Sequence, residues 1–286
     1  MRVFCFGFGF SATALARSLR AEGHAVAGTR RSPTPAEDGI SIHAFATGQP
    51  LADPAQALAG TTHLVLSIPP GREGDPVLIH HADAIRRIPT LEWIGYLSTT
   101  GVYGDTGGAV VDETAPTRPT SERSQFRVDA EKAWLDLGSK TGIVTQVFRL
   151  AGIYGPGRSV FDQIRSGTAR RVVRPDHKFS RIHVDDIAGV VRAAMAKPLA
   201  GAIYNVCDDE PTEAAEVVAY ACRLLGREPP PLVDFDVAAK QMSPMALSFW
   251  RDNRRVANRL IKSALGVGLR YPTYREGLAA ILSAGG

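Results

Sequence analysis

Short apolar runs alternate with amphipathic stretches through the first half of the chain, and this alternation predicts βαβ units and a parallel sheet. Val3 to Phe6 reads as a buried strand, and Ala12, Leu15, Ala16 and Leu19 recur behind it at helical spacing. Further strands are expected at His24 to Gly28, Ile40 to Phe45, His63 to Ile68, Trp93 to Ser98 and Ile143 to Leu150. Helices are expected near Pro54 to Leu58, Asp75 to Ile88 and Arg123 to Leu137. In the last of these, Phe126, Ala130, Ala133, Trp134 and Leu137 form one apolar stripe, which predicts packing against the sheet. Parallel strands joined through helices cross over right-handedly and give a doubly wound sheet, with the ligand crevice at the carboxyl ends of the strands.

After Leu150 the rhythm breaks into loops and shorter elements. A helix is expected to start near Asp185 or Asp186, with aspartate as N-cap, and to lead into a strand from Ala202 to Val206. Another helix spans about Glu213 to Leu225, the run Pro229 to Pro231 marks a linker, and helices are expected from Arg254 to Leu265 and from Glu276 to Leu282. No internal repeat or low-complexity segment interrupts the pattern.

Composition narrows the class. The 286 residues are 44% hydrophobic and 22% charged, as in an ordinary globular protein and unlike a disordered one. No apolar run is long enough to cross a bilayer. The start, Met1 to Phe6, mimics a signal peptide, yet Gly7 and Gly9 followed by Arg17 and Arg20 fit a strand, turn and helix better. Three cysteines, Cys5, Cys207 and Cys222, are an odd count without metal-ligand spacing, so neither a disulfide framework nor a zinc site is expected and the cytoplasm is the expected compartment. The net charge of +4 suits an anionic ligand or an arginine-rich surface. The clusters Arg170, Arg171, Arg174 and Arg251, Arg254, Arg255, Arg259 read as solvated faces, since a nucleic-acid groove would interleave aromatics with such charges. The expected partner is a small molecule, not nucleic acid or membrane; nothing indicates an oligomeric state.

The chemistry is most legible at Gly7-Phe8-Gly9-Phe10-Ser11-Ala12, which has the form G-x-G-x-x-G/A between the first strand and the first helix. Gly7 permits the tight turn, Gly9 lets backbone approach a pyrophosphate, and the small Ala12 allows close packing of helix on strand. The helix N-terminus supplies free N–H groups and partial positive charge for phosphates. At the end of the second strand an NAD site usually places an acidic residue for the ribose 2′-hydroxyl, whereas this chain has Thr29-Arg30-Arg31. Guanidinium groups bind a 2′-phosphate bidentately, so NADP is expected over NAD, with NAD still possible. In the plainer reading Arg30 and Arg31 solvate the loop Ser32 to Pro35.

Three further motifs carry a family resemblance. Leu97-Ser98-Thr99-Thr100-Gly101-Val102-Tyr103-Gly104 resembles the S-[ST]-x-x-V-Y-G strand end of extended short-chain dehydrogenase/reductases, the epimerase/dehydratase-like superfamily. Arg149-Leu150-Ala151-Gly152-Ile153-Tyr154-Gly155-Pro156 is similar to the family's R-x-x-x-x-Y-G-P loop, and Ile182-His183-Val184-Asp185-Asp186-Ile187-Ala188 to its h-V-x-D-h-A helix start. The resemblance implies an α/β Rossmann fold, a doubly wound parallel sheet with a smaller C-terminal α/β substrate domain. Residues 1–150, with 185–207 returning, would bind the dinucleotide; 151–184 and 208–286 would bind substrate. It also implies that Thr99 hydrogen-bonds the reacting oxygen, that Ser67, Ile68, Pro69, Ser98, Ala151 and Gly152 face the cofactor, and that Tyr103 packs its loop.

The chain departs from the family where proton chemistry is expected. The family's Y-x-x-x-K pair aligns with Arg123 and Arg127. A guanidinium stays protonated and offers no acceptor lone pair, so neither arginine can repeat the tyrosine's role. Arg127 is expected to hold the cofactor by its ribose hydroxyls or a phosphate, or else to pair with Glu131; Arg123 is expected to meet an anionic substrate group or to stabilise an alkoxide, or else to be solvated. Proton-donor candidates are Tyr154, His183, Thr99, Thr100 and a bound water. The arginine that grips a diphosphate in sugar-nucleotide members is replaced by Phe179, with Lys178 and Arg181 nearby. Tyr154, Arg158, Phe161 and Arg165 remain for a differently shaped substrate pocket. The expected function is an atypical reductase using NADPH on a small carbonyl compound. The alternatives are a non-catalytic NADP(H) sensor or scaffold, and a sugar-nucleotide epimerase or dehydratase with a relocated acid/base.

Overall fold

The computed structural model describes residues 1–32 and 39–285. Its first half runs β1 (Arg2–Phe6), α1 (Phe10–Ala21), β2 (Ala25–Arg30), β3 (Ser41–Ala44), α2 (Pro54–Ala57), β4 (His63–Leu66), α3 (Pro76–Arg86) and β5 (Trp93–Thr99). A 3-10 turn (Thr100–Tyr103) then leads to β6 (Val110–Val111), α4 (Glu122–Thr141), β7 (Val144–Leu150), β8 (Gly152–Tyr154) and α5 (Val160–Arg165). The remainder comprises β9 (Arg171–Val173), β10 (Arg181–His183), α6 (Val184–Ala196), β11 (Ile203–Val206), α7 (Ala214–Leu224) and β12 (Leu232–Asp234). It closes with α8 (Phe235–Ala239), α9 (Pro244–Arg251), β13 (Arg255–Val256), α10 (Arg259–Ser263) and α11 (Tyr274–Ser283).

Seven parallel strands form the central sheet in the order β11, β7, β5, β4, β1, β2, β3. Both faces are covered, as the unbroken burial of β1, β4 and β5 requires. Alternate β1 side chains serve opposite layers: Val3 and Cys5 join the core under α1 and α6, while Phe4 and Phe6 join the core under α3 and α4. The chain leaves β3 at one edge and re-enters beside β1 as β4, so the strand order reverses between β1 and β4. That reversal opens a crevice at the carboxyl ends of these two strands, where a doubly wound sheet takes its ligand.

After β7 the chain returns to this sheet once, through α6 and β11. The other strands pair as three separate parallel ribbons, β8 with β10, β9 with β12 and β6 with β13.

Several expected boundaries shift for physical reasons. The helix expected from Arg254 to Leu265 is interrupted, because Arg255 N–H donates to Ala109 and Ala257 N–H to Val111, which commits that backbone to pairing with β6 and leaves only α10 helical. The cap of α6 is His183, whose Nδ1 accepts from Asp185 N–H, while Asp186 accepts from the Arg270 and Tyr271 amides. On α4 the buried stripe is Val128, Ala130, Trp134 and Leu137; Ala133 is exposed. The strand expected from His63 to Ile68 ends at Leu66, since Ser67 turns to hold the glycine loop.

Candidate functional site

The loop after β1 is fastened from below and open above. Gly7 sits at φ +90°, and a Cβ there would meet Ser67 Oγ at 2.5 Å, so only glycine fits without strain. Ser67 Oγ donates to Gly7 O at 2.6 Å, Gly7 N–H to Thr29 Oγ1 at 2.9 Å, and Phe8 N–H to Thr29 O. Thr29 is fully buried, so this expected cofactor contact supports the loop from beneath instead of facing a ligand. Phe8 and Ala12 are likewise buried beneath the loop.

Gly9 differs from Gly7. It has ordinary φ of −104°, a Cβ there would meet nothing within 4 Å, and as the N-cap of α1 it gives that helix no side-chain cap. The first turn of α1 therefore presents uncapped N–H groups to an open space at the switch point, with Phe10 and Ser11 partly exposed beside it. These features fit a pyrophosphate, for which the vacant Cβ position of Gly9 is the approach path. Arg30, at the end of β2, donates through Nε to Phe8 O at 3.1 Å and lies over the Phe8 ring. Arg31 is exposed. Of the loop that these arginines were alternatively expected to solvate, Pro33 to Pro35 lie outside the described residues.

At the end of β5, Thr99 Oγ1 accepts from Gly101 N–H at 3.1 Å and caps the 3-10 turn. Ser98, expected at the cofactor, is instead buried and donates to Glu131. It belongs to a network in which Glu131 pairs with Arg149 at 2.8 Å, Arg149 donates to Tyr103 Oη at 2.9 Å, and Tyr103 donates to Asn205 at 2.7 Å. Tyr103 thus packs its loop, and every member is buried. Because this network occupies Glu131, Arg127 turns elsewhere: its Nη1 donates to Tyr96 Oη at 3.1 Å and Leu97 O at 3.0 Å. Burial pushes the Tyr96 phenol well above its ordinary pKa. Arg123, one turn earlier, is exposed and approaches Met245 Sδ of α9.

Two adjoining cavities open beyond these strand ends. One, of about 390 Å³, is lined by Thr99, Thr100, Ala151 and Gly152 together with Lys178 and Arg254. The other, of about 700 Å³, is lined by Arg158, Val160, Val172, Val217 and Leu278 among others. Ile153, Tyr154, Arg181, Ala214, Phe249 and Trp250 line both, so the two form one cleft. Arg158 also lies over the Phe10 ring at 5.7 Å, which sets the cleft rim against the start of α1.

The structure separates the remaining expected residues. Phe161 is fully buried among Tyr154, Val217, Tyr274 and Leu278 and lines neither cavity; its α5 position points into that small core. Arg165 lies over the Phe161 ring on the exposed side of α5 and also lines neither. Tyr154 reaches the cleft wall, but its hydroxyl turns to Thr273 O at 3.4 Å, against Gly277, and burial raises its pKa far above the ordinary value. His183 lines neither cavity. It is buried between Tyr154 and Tyr271, and burial pulls its pKa down to about 4, so it is a neutral cap at physiological pH. Phe249 and Trp250 of α9, which sequence periodicity did not mark, supply the aromatic wall. Among the described residues no three His, Cys, Asp or Glu side chains could hold a metal ion, the three cysteines are free and buried, and no helix is long and apolar enough to cross a membrane.

No family model matches the sequence. Protein YeeZ of Escherichia coli K12 is 31% identical over 254 residues, covering 80% of this chain and 85% of that protein. A solved structure of a functionally unknown conserved protein from Silicibacter pomeroyi is 45% identical, covers 99% of both chains and superposes with a TM-score of 0.88. The structure of MoeE5 in complex with UDP-glucuronic acid and NAD has the same fold, with a TM-score of 0.81 at 19% identity over 99% of this chain and 98% of the other.

Proposed function

We propose that the chain, which belongs to one family with Protein YeeZ and has the fold of MoeE5, is an extended short-chain dehydrogenase/reductase: an oxidoreductase that takes a nicotinamide dinucleotide, preferentially NADP(H), and acts on a small carbonyl compound. The observation that carries this reading is the uncapped, sterically open start of α1 at the β1/β4 switch point, with a cleft beside it at the ends of β5 and β7. In this reading residues 1–150 with 185–207 hold the dinucleotide, while 151–184 and 208–286 shape the substrate cleft.

The α1 amides, with Phe10 and Ser11, would hold the pyrophosphate, and Arg30 and Arg31 a 2′-phosphate. Ile68 and Pro69 on one side and Ala151 and Gly152 on the other would border the nicotinamide half, and Arg127 would reach its ribose. When bound, the nicotinamide supplies the hydride. Thr99 orients the substrate: its oxygen accepts the Gly101 amide, which leaves the hydroxyl proton to donate to a carbonyl oxygen. The two arginines on α4 release no proton at working pH, Tyr154 is committed to Thr273, and His183 is neutral and outside the cleft. The proton would therefore reach the product oxygen from water through Thr99.

The test is to mix purified protein with NADPH or NADH and a panel of aldehydes, ketones and sugar derivatives, following absorbance of the reduced cofactor. Oxidation by at least one carbonyl compound is expected, with kcat about a hundredfold lower in Thr99→Val. Absence of turnover across the panel, or an undiminished Thr99→Val, would overturn the reading.

A further inference from the structure

We propose that Arg181 is the specificity-determining residue of the cleft and that it selects compounds with an apolar, aromatic body and a single carboxylate. This rests on the oxidoreductase reading for the location of the reacting end, and it adds the class of substrate.

Arg181 lies on the wall common to both cavities. Its side chain is fixed from one edge only: Nη1 donates to Phe179 O at 2.9 Å and Thr212 O at 3.0 Å, and the guanidinium rests over the Phe179 ring at 5.7 Å. Among the described residues it makes no ion pair with a carboxylate within 4.0 Å, and its side-chain hydrogen bonds all run through Nη1. Of the other charges that line the cleft, Arg254 pairs with Asp252 at 2.8 Å, Asp162 closes the capping box of α5, and Arg170 donates to Gln241 at 2.9 Å. Arg158, exposed at the rim over Phe10, and Lys178 each line one cavity only, whereas Arg181 stands on the wall shared by both. The nearby Asp208 acts on Arg181 through space without an ion pair within 4.0 Å, and burial pushes its carboxyl up to about 8 against that attraction.

A pre-oriented guanidinium with free donors in a partly desolvated wall matches the two oxygens of a carboxylate. Beside it the surface is apolar. Trp250 meets Phe179 edge-on at 4.9 Å, and Phe249, Val217, Val218 and Leu278 continue the wall into the chamber of about 700 Å³. That volume takes a ring system. The neighbouring position at Phe179 presents an aromatic ring beside Arg181, which favours a ligand with an apolar body over a diphosphate.

The experiment is calorimetric titration of the full chain with benzoate and naphthoate, each against its methyl ester, and with UDP as a diphosphate probe, with and without NADPH. The acids are expected to bind at least about tenfold more tightly than their esters, the larger acid more tightly than the smaller, and both more tightly than UDP. Arg181→Gln should erase the preference for acid over ester while the NADPH dissociation constant stays the same, and Arg181→Lys should keep part of it. Equal binding of acid and ester, no binding of either, or tighter binding of UDP overturns the proposal. The acid-to-ester ratio in the unmodified chain needs no variant, so misfolding of Arg181→Gln leaves the test intact. Failure of NADPH to bind would strike the dinucleotide reading and leave that ratio standing.

Discussion

The loop after β1 and the cleft beyond β5 are both built on the carboxyl ends of the same sheet, yet they are specified in opposite ways. The loop is local: six consecutive residues turn, cap and open a helix, and their few distant contacts, Ser67 and Thr29, serve to fasten Gly7. The cleft is assembled from β5, β8, β10, α5, α7, α9 and α11, and its polar groups are divided between structural duty and exposure to the cavity. A group at the carboxyl edge is thus available to a ligand only if the fold has not already engaged it. Ser98, Tyr103, Glu131 and Arg149 are engaged; Thr99 and Arg181 are not fully so.

The strongest way to break that comparison is to remove one of the engaged charges. Glu131→Ala should strand the buried Arg149 and cost about 3–5 kcal/mol in urea unfolding. A loss below about 1 kcal/mol would mean that the network is not structural. The next effect is on pH dependence. The native pKa of His183 is lowered from its ordinary 6.5 to about 4, so between these values the unfolded chain binds the extra proton. Stability should therefore rise with pH across that window and be lost as pH falls through it. His183→Asn, which can still cap α6, should flatten this slope, and an unchanged slope would assign it to other groups.

The two glycines sharpen the contrast within the loop itself. Gly7→Ala places a Cβ against Ser67 at positive φ and should destabilise the fold by about 1–3 kcal/mol. Gly9→Ala meets open space and should leave stability within about 0.5 kcal/mol while weakening dinucleotide binding about tenfold. Arg30→Ala should weaken NADPH about tenfold and NADH much less, if the 2′-phosphate is what the guanidinium holds. The smallest effect belongs to Arg165→Ala, with activity and stability within about 0.5 kcal/mol of the unmodified chain, since Arg165 stands away from the cleft.

These differences also explain what the sequence disclosed. Strands β1, β5 and β7, the glycine loop, and the return of α6 and β11 were legible because each depends on periodicity or on a turn that only certain residues make. Phe161 and Arg165 misled, because spacing along a short helix does not say which face a neighbouring core claims. Ser98 and Thr99 are adjacent in a strand and share a motif, but strand alternation sends one into the Glu131 network and the other to the cleft. Phe249 and Trp250 carried no signal, since α9 is short and its role depends on where the chain folds back. His183 fitted a proton donor by residue type and motif, and only its burial and its bond to the Asp185 amide reveal a cap.

The central claim is that the open face of Gly9 and the start of α1 receive a dinucleotide, and calorimetric titration of NADPH and NADH into the folded chain and into Gly9→Val tests it most directly. The account predicts saturable one-to-one binding, tighter for NADPH, that is lost in Gly9→Val while the thermal unfolding midpoint is preserved. Absence of binding of either dinucleotide to the unmodified chain, or binding undiminished by Gly9→Val, would contradict it.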